Sequence, residues 1–105
     1  MNEQLAESIS FQLISNIGNA KSLIMEALYC AKAGNFQLAD KKLKEADQYF
    51  TEGHKIHASL IQKEASGERL NFSLLIMHAE DQLMSTETIR ELVKEMIDIY
   101  RKIEN

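Results

Sequence analysis

Apolar residues recur every three or four positions along three long stretches of the chain, which run from Asn2 to Ala33, from Asn35 to Ala65 and from Arg69 to Lys102. This period is that of one face of an α-helix, whereas a half-buried strand would alternate at every second residue. The second stretch has a narrow seam, typical of a coiled coil. It consists of Phe36, Ala39, Leu43, Ala46, Phe50, Gly53, His57 and Leu60. The pattern predicts an all-α protein.

Two short breaks, Gly34-Asn35 and Ser66-Gly67, separate the three stretches. Both have the glycine chemistry with which helices commonly end, and the chain has no proline. A helix of about thirty residues spans about 45 Å at about 1.5 Å per residue. Joined by short turns, they form an up-down-up three-helix bundle. We expect a single domain over residues 1–105.

The third stretch contains a second possible helix start, because Thr88 and Glu91 have the spacing of a capping box. No glycine or proline interrupts the stretch, so we predict one helix with a bend, if any, near Ser85-Thr86. It carries two apolar stripes. The stripe expected to face the chain's own core is Leu75, Ala79, Leu83, Ile89, Val93, Met96 and Tyr100, and the second is Leu74, Met77, Asp81 and Met84.

The second stripe indicates oligomerisation. The first helix also carries an additional row, formed by Phe11, Ile14, Gly18 and Met25. A long, thin bundle of this size buries only a modest part of its surface. We therefore expect other copies of the chain to cover these rows.

Charge and composition exclude several classes of protein. Twelve basic and sixteen acidic residues give a net charge of −4, which argues against nucleic acid as the partner. No apolar run is long enough to insert into a membrane, and the first seven residues have two acids and no base, unlike a signal peptide. Cys30 is the only cysteine, so an internal disulfide is excluded. These features predict a cytoplasmic protein.

Asp81 lies in the middle of an apolar row, where an unpaired carboxylate is costly. In one explanation it lies at the edge of the stripe and is hydrated. In the other, three copies of the stripe meet at a threefold axis, and three Asp81 carboxylates bind a hard cation such as Mg²⁺. The spacing alone leaves both explanations open.

His78 lies one helical turn before Asp81, at the border of the same stripe. A neutral imidazole can act as a nucleophile, although a single histidine on a helix is more often structural. His54 and His57, three residues apart, could hold a metal, but no third ligand is evident. The sequence has no Gly-rich phosphate loop, nucleophile elbow or CxxC pair, so we predict no organic cofactor.

The segment from Leu74 to Met84, LLIMHAEDQLM, resembles the signature of the lactose/cellobiose-type IIA proteins of the phosphoenolpyruvate-dependent sugar phosphotransferase system (PTS). The usual form of that signature is His-Ala(or Gly)-Gln-Asp-His-Leu-Met. The resemblance extends over nearly the whole chain. Further matches are Gly18-Asn19-Ala20-Lys21-Ser22, Glu26-Ala27-Leu28, Ala39, Glu45-Ala46, His54, the run from Leu60 to Ala65, and Gly67-Glu68.

The resemblance implies a homotrimer of three-helix protomers, a nine-helix bundle. It also implies that His78 accepts phosphate from the histidine phosphocarrier HPr and passes it to a cysteine of the IIB component. Asp81 from three subunits would meet at the axis around a metal ion, which favours the second explanation above. The sugar, whether cellobiose, chitobiose or lactose, stays open.

Three positions depart from the family pattern, since Glu80 and His57 replace glutamines and Gln82 replaces a histidine. Glu80 is the most consequential. At about 6 Å and an effective dielectric constant of about 20, two unit charges repel by about 3 kcal/mol, so a carboxylate this close would oppose phosphorylation of His78. The departures support an alternative function, a non-catalytic or regulatory binding module on the same trimeric scaffold.

Overall fold

The computed structural model describes residues 3–70 and 73–104, which form three long helices and no strand. They are α1 (Glu3–Lys32), α2 (Phe36–Ala65) and α3 (Leu74–Glu104). The helices run up, down and up in a rod of 54 × 20 × 20 Å. The predicted all-α three-helix bundle is confirmed. None of the helices, over the residues described, is long and apolar enough to cross a membrane.

Both predicted turns are present, and both depend on a glycine. Gly34 has a φ of +83°, and Gly67 has a φ of +94°. The N–H of Asn35 donates to the carbonyl of Cys30 at 2.9 Å, and the N–H of Gly34 donates to that of Ala31 at 3.0 Å. This is the Schellman arrangement, which satisfies the last carbonyls of α1 and reverses the chain.

The starts of α2 and α3 are fixed by side-chain caps. Asn35 Oδ1 accepts the N–H of Leu38 at 3.1 Å, and Ser73 Oγ accepts the N–H of Ile76 at 3.2 Å. Each cap satisfies a backbone donor that has no partner within the helix. The third helix therefore begins at Leu74, and the predicted start at Arg69 is wrong.

α3 is one continuous helix from Leu74 to Glu104. This confirms the single helix that was predicted because no glycine or proline interrupts the stretch. The hydroxyl of Thr88 donates to the carbonyl of Met84 at 3.5 Å, one turn back within the helix, instead of capping a new one. No second helix begins at this position.

α1 is the central helix, and its buried face packs against both α2 and α3. The largest of its fully buried apolar side chains are Leu13, Ile17 and Ile24. α2 and α3 approach each other closely at few places, so polar side chains fill much of the space between them. On the additional row of α1, which other copies of the chain were expected to cover, Phe11 is 58% exposed in the single chain.

The buried face of α3 is partly the one predicted. Ala79, Leu83 and Val93 are buried, but Met96, which was assigned to the core, is 42% exposed, and its neighbour Ile97 is buried in its place. Adjacent residues of a helix point about 100° apart, so an assignment of the buried face that is off by one residue places an exposed side chain in the core. Ile76 and Thr86 are also buried, and the sequence pattern missed both.

Thr86 provides a test of core packing. Its side chain is fully buried, and its hydroxyl has no hydrogen-bond partner among the described residues. Thr86→Val keeps the shape and removes the desolvated hydroxyl, so the free energy of unfolding should rise by about 1 kcal/mol. Urea unfolding followed by circular dichroism measures it, at one fixed protein concentration.

The matched control is Thr51→Val, because the hydroxyl of Thr51 is exposed and donates to the carbonyl of Asp47 at 2.8 Å. We expect this change to alter the unfolding free energy by less than about 0.5 kcal/mol. A clear loss of stability in Thr86→Val would show that the buried hydroxyl makes a hydrogen bond in the folded protein.

Candidate functional site

His78 is exposed on the second turn of α3, and its imidazole makes no hydrogen bond or ion pair with any residue of 3–70 or 73–104. Leu74, which lies one turn before it on the helix surface, is 83% exposed. The ring is therefore accessible to another protein, and neither nitrogen is engaged within the described part of the chain.

An apolar stripe runs along the whole outer face of α3, and we call it the outer stripe. Its exposed members are Leu74, Met77, Met84, Leu92, Met96, Ile99 and Ile103. Each of these side chains stays between 42% and 83% exposed in the single chain. A contiguous apolar face of this length is uncommon on a monomeric soluble protein and marks a contact surface.

Asp81 lies on the outer stripe, as predicted, and is exposed. It makes no hydrogen bond or ion pair with another described residue. One chain supplies one such carboxylate here, and the described residues contain no cluster of three or more potential metal ligands. A cation at Asp81 would need ligands from several copies of the chain.

Glu80 does not lie where its position in the sequence suggested. Its carboxylate contacts Nδ1 of His57 on α2, and the two side chains are 24% and 33% exposed. Residues two apart on a helix point to nearly opposite sides. Within one chain, Glu80 is therefore directed away from His78, and the close repulsion expected between them is wrong for this geometry.

Among the described residues, four polar pairs connect α2 to α3 along their length. Asp40 pairs with Arg101, Asp47 with Arg90 at 2.8 Å, His54 with Glu87 at 2.9 Å, and His57 with Glu80. The half of the interface far from His78 uses aspartate and arginine, and the half near His78 uses histidine and glutamate. The two histidines thus contact different glutamates of α3, which accounts for their spacing of three residues without a metal.

Arg90 is the best-anchored member of these pairs. Its Nε donates to Asp47 Oδ1 at 2.8 Å, and its Nη1 lies 3.4 Å from Glu91 Oε1. The hydrogen bond to Asp47 raises the pKa of Arg90 above its ordinary value, with further attraction from both carboxylates, although partial burial acts in the opposite direction. The guanidinium therefore stays charged and holds the middle of α3 against α2.

A shallow cleft of about 650 Å³ surrounds this middle region of α2 and α3. It is lined by Asp47, Phe50, Thr51, His54, Glu87, Thr88, Arg90 and Glu91. His78 does not line it. The cleft is bounded by the polar pairs themselves, so it belongs to the α2–α3 junction and not to the surface that presents His78.

The pairing of Glu80 with His57 is the main feature that sequence reasoning missed. A signal was present, because residues that face each other in antiparallel helices have numbers that add up to nearly the same value. The four pairs follow that rule. It becomes usable only once the turn between α2 and α3 is fixed, and the start of α3 was misplaced by several residues.

The three-helix fold and the segment around His78 together define a IIA component of a sugar phosphotransferase system. The family described as the PTS system, lactose/cellobiose-specific IIA subunit, matches residues 8–101. The chain belongs to this family.

Known proteins support this membership over nearly the whole chain. The oligo-beta-mannoside-specific EIIA component of Bacillus subtilis is 50% identical over 95 residues, which are 90% of this chain and 86% of that protein. The crystal structure of the PTS cellobiose-specific enzyme IIA from Bacillus anthracis superposes with a TM-score of 0.93 at 46% identity, covering 99% of this chain and 94% of the other.

A third relative was solved together with a partner. The IIA(chitobiose)–HPr complex of the N,N'-diacetylchitobiose branch of the Escherichia coli phosphotransferase system matches with a TM-score of 0.83 at 31% identity, and all of both chains is covered. In that relative, the IIA fold binds HPr.

Proposed function

We propose that this chain is a phosphocarrier that accepts a phosphoryl group from HPr on His78 and passes it to a cysteine of a IIB component during sugar uptake. The observation that carries the proposal is the exposed imidazole of His78, which has no partner among the described residues and lies in a segment matching the family. The complex of a relative with HPr supports the choice of donor.

The chemistry requires little from the rest of the chain. A ring nitrogen of His78 attacks the phosphorus atom of phospho-HPr, and the bond between phosphorus and the nitrogen of HPr breaks as the new bond forms. In the second step the thiolate of the IIB cysteine attacks, and the imidazole of His78 leaves. Transfer of this kind depends mainly on positioning and on charge near the phosphoryl group. We place these steps in the cytoplasm.

The proposal includes a homotrimer in which three outer stripes meet at a threefold axis. The exposed apolar side chains of α3 support this, because the protomer leaves a large part of each of them accessible. Nine helices would then form one bundle. His78 lies at the border of the stripe, so the assembly would leave its ring reachable by partner proteins.

The trimer would bring three Asp81 carboxylates together within an apolar surface. Such a cluster is costly unless a cation or protons offset the repulsion, and carboxylate oxygens are the ligands that Mg²⁺ prefers. The residue fits this role, since it is exposed on the stripe and unpaired among the residues described. A bound Mg²⁺ or similar ion would supply the positive charge that holds the carboxylates together.

The alternative function is a non-catalytic or regulatory binding module on the same scaffold. Gln82, where the family usually has histidine, favours it, because this position is half-buried on the His78 segment. Glu80 no longer favours it, since its carboxylate is paired with His57 on α2. Such a module would bind HPr or another partner without accepting phosphate.

Phosphorylation is tested by incubation with phosphoenolpyruvate, enzyme I and HPr, followed by intact-mass measurement. We expect one acid-labile phosphate per chain. His78→Ala should abolish the adduct, because the nucleophilic nitrogen is removed. His54→Gln is the matched control and should still be labelled. A folded wild-type protein that binds HPr but gains no phosphate would support the binding module.

The trimer is tested by placing a charge on the outer stripe. Ile99→Asp would bury an unpaired carboxylate at the axis, at a cost of several kcal/mol. Sedimentation velocity should show a shift from trimer to monomer. Ile61→Asp on α2 is the matched control, since Ile61 and Ile99 are 55% and 56% exposed. A wild-type monomer, or equal dissociation in both variants, would contradict the interface.

The cation is tested separately with Asp81→Asn and Asp81→Leu. Both changes should remove bound metal, measured by atomic emission of the purified protein, and leave the trimer intact. Asp81→Leu should also melt at a higher temperature than the metal-free wild type, because the repulsion between carboxylates ends. Dissociation of the Asp81→Leu protein would instead show that the carboxylate cluster and its cation hold the assembly together.

A further inference from the structure

Gln82 lies one helical turn after His78, on the same face of α3. The residue is half-buried, and its side-chain amide makes no hydrogen bond with another described residue. Glu80, two residues earlier, contacts α2. Because residues two apart on a helix point to nearly opposite sides, Gln82 flanks His78 on the side away from that contact.

Hydrogen-bond donors are scarce around His78 on its own helix. The residues within four positions of it, from Leu74 to Gln82, comprise five apolar residues, two acidic residues and one amide. An ionised carboxylate only accepts hydrogen bonds, whereas the amide nitrogen of a glutamine donates two. Apart from His78 itself, Gln82 is therefore the one side chain of this segment that can donate to a phosphoryl oxygen.

The direction of helical side chains brings this donor towards the imidazole. Each Cα–Cβ bond is tilted towards the N-terminus of its helix, so a long side chain covers the turn before its own position. For Gln82, that turn is the one that carries His78. The Cβ atoms of residues four apart lie about 6 Å from each other, a distance that the two side chains can span.

We infer that the side-chain amide of Gln82 binds the phosphoryl group on His78, by donating from Nε2 to one of its oxygens. The inference rests on the proposed function of His78 and deepens it, because it names a residue of this chain that touches the transferred group. Phosphoryl transfer depends on positioning and on stabilisation of the charge on these oxygens. Glutamine and the histidine that is usual at this position both carry an N–H donor, so the departure keeps the donor.

The experiment measures how phosphate distributes at equilibrium between HPr and this chain, from the intact masses of both proteins. In dilute solution this equilibrium does not depend on how tightly HPr docks, so only contacts of the phosphoryl group or of His78 shift it. Gln82→Met keeps the length of the side chain and removes the donor. Since hydrogen bonds to charged groups are among the stronger ones, the equilibrium constant for phosphorylation should fall about tenfold.

Two further substitutions separate hydrogen bonding from shape and charge. Gln82→His, at a pH where imidazole is neutral, retains an N–H donor and should stay near the wild-type value. Gln82→Glu keeps the shape, loses the donor and adds a charge, so its equilibrium constant should fall further than that of Gln82→Met. Gln48→Met on α2 is the matched control and should behave as the wild type. Gln48 is exposed, and it adjoins Asp47, which pairs with Arg90, twelve residues beyond His78.

The side-chain ¹H–¹⁵N resonances of Gln82 give a second readout, in the wild-type protein. Phosphorylation of His78 should move one of the two amide protons downfield, because that proton is donated to a phosphoryl oxygen. The resonances of Gln48 should not move. Circular dichroism and sedimentation velocity check that each variant has the fold and the assembly of the wild type.

Several outcomes would overturn the inference. An unchanged equilibrium in Gln82→Met contradicts it, and so does a loss confined to Gln82→Glu, which would show repulsion without a hydrogen bond. An equal loss in Gln48→Met contradicts it as well. If Gln82→Met does not fold, the amide protons of Gln82 decide, and resonances that stay in place on phosphorylation refute the contact.

Failure of the wild type to accept phosphate from HPr contradicts the proposed function instead. His78 is then phosphorylated chemically with phosphoramidate, and the same resonances of Gln82 show whether its amide binds the phosphoryl group.

Discussion

The close packing of α1 against the other two helices is the constraint on which the rest of the structure depends. Small residues at the contact allow the backbones to approach, and Gly53 shows how near they come. A Cβ atom built on Gly53 would lie 2.6 Å from Cδ1 of Ile17, which is itself buried. With α1 in the middle, the apolar faces of α2 and α3 are directed mainly at α1 and not at each other.

This arrangement gives the two outer helices different surroundings. α2 and α3 meet mainly through side chains long enough to bridge the gap, and these are charged or polar, as in the pairs Asp47–Arg90 and His54–Glu87. The opposite side of α3 faces away from the bundle and retains an apolar surface. His78 and Asp81 lie on or beside that surface because they follow it in helical register, so the core packing also determines which residues are presented to partners.

Much of this fold could be predicted from the sequence because it depends on local rules. The helical period, the absence of proline and the two glycine turns depend on neighbouring residues, and the helices and turns they predict are confirmed. The start of α3 was wrong because the helical period does not locate the boundary, which is set by the cap of Ser73 on Ile76. The placement of Met96 in the core failed because a small error in register accumulates along a helix of 31 residues.

At the candidate site, too, local features were predicted correctly and features that depend on tertiary register were not. A family signature located His78 and Asp81, and the helical period placed both at the outer stripe. The partner of Glu80 could not be obtained in this way, because it depends on which residue of α2 lies opposite, and that is a matter of tertiary register. A residue's distance along the chain from His78 was therefore a poor guide to its electrostatic effect.

The pairing changes how the departures from the family pattern are understood. Taken singly, Glu80 adds a charge beside a nucleophile, and His57 adds an ionisable ring to an apolar seam, so each argues against a working phosphocarrier. Taken together, they form one polar contact at the end of the α2–α3 junction that carries His78. Two changes that are each unfavourable alone can be tolerated together when their side chains meet, because the energies of contacting residues are not additive. The contact of Glu80 with His57 thus weakens Glu80 as an argument against the role proposed for His78.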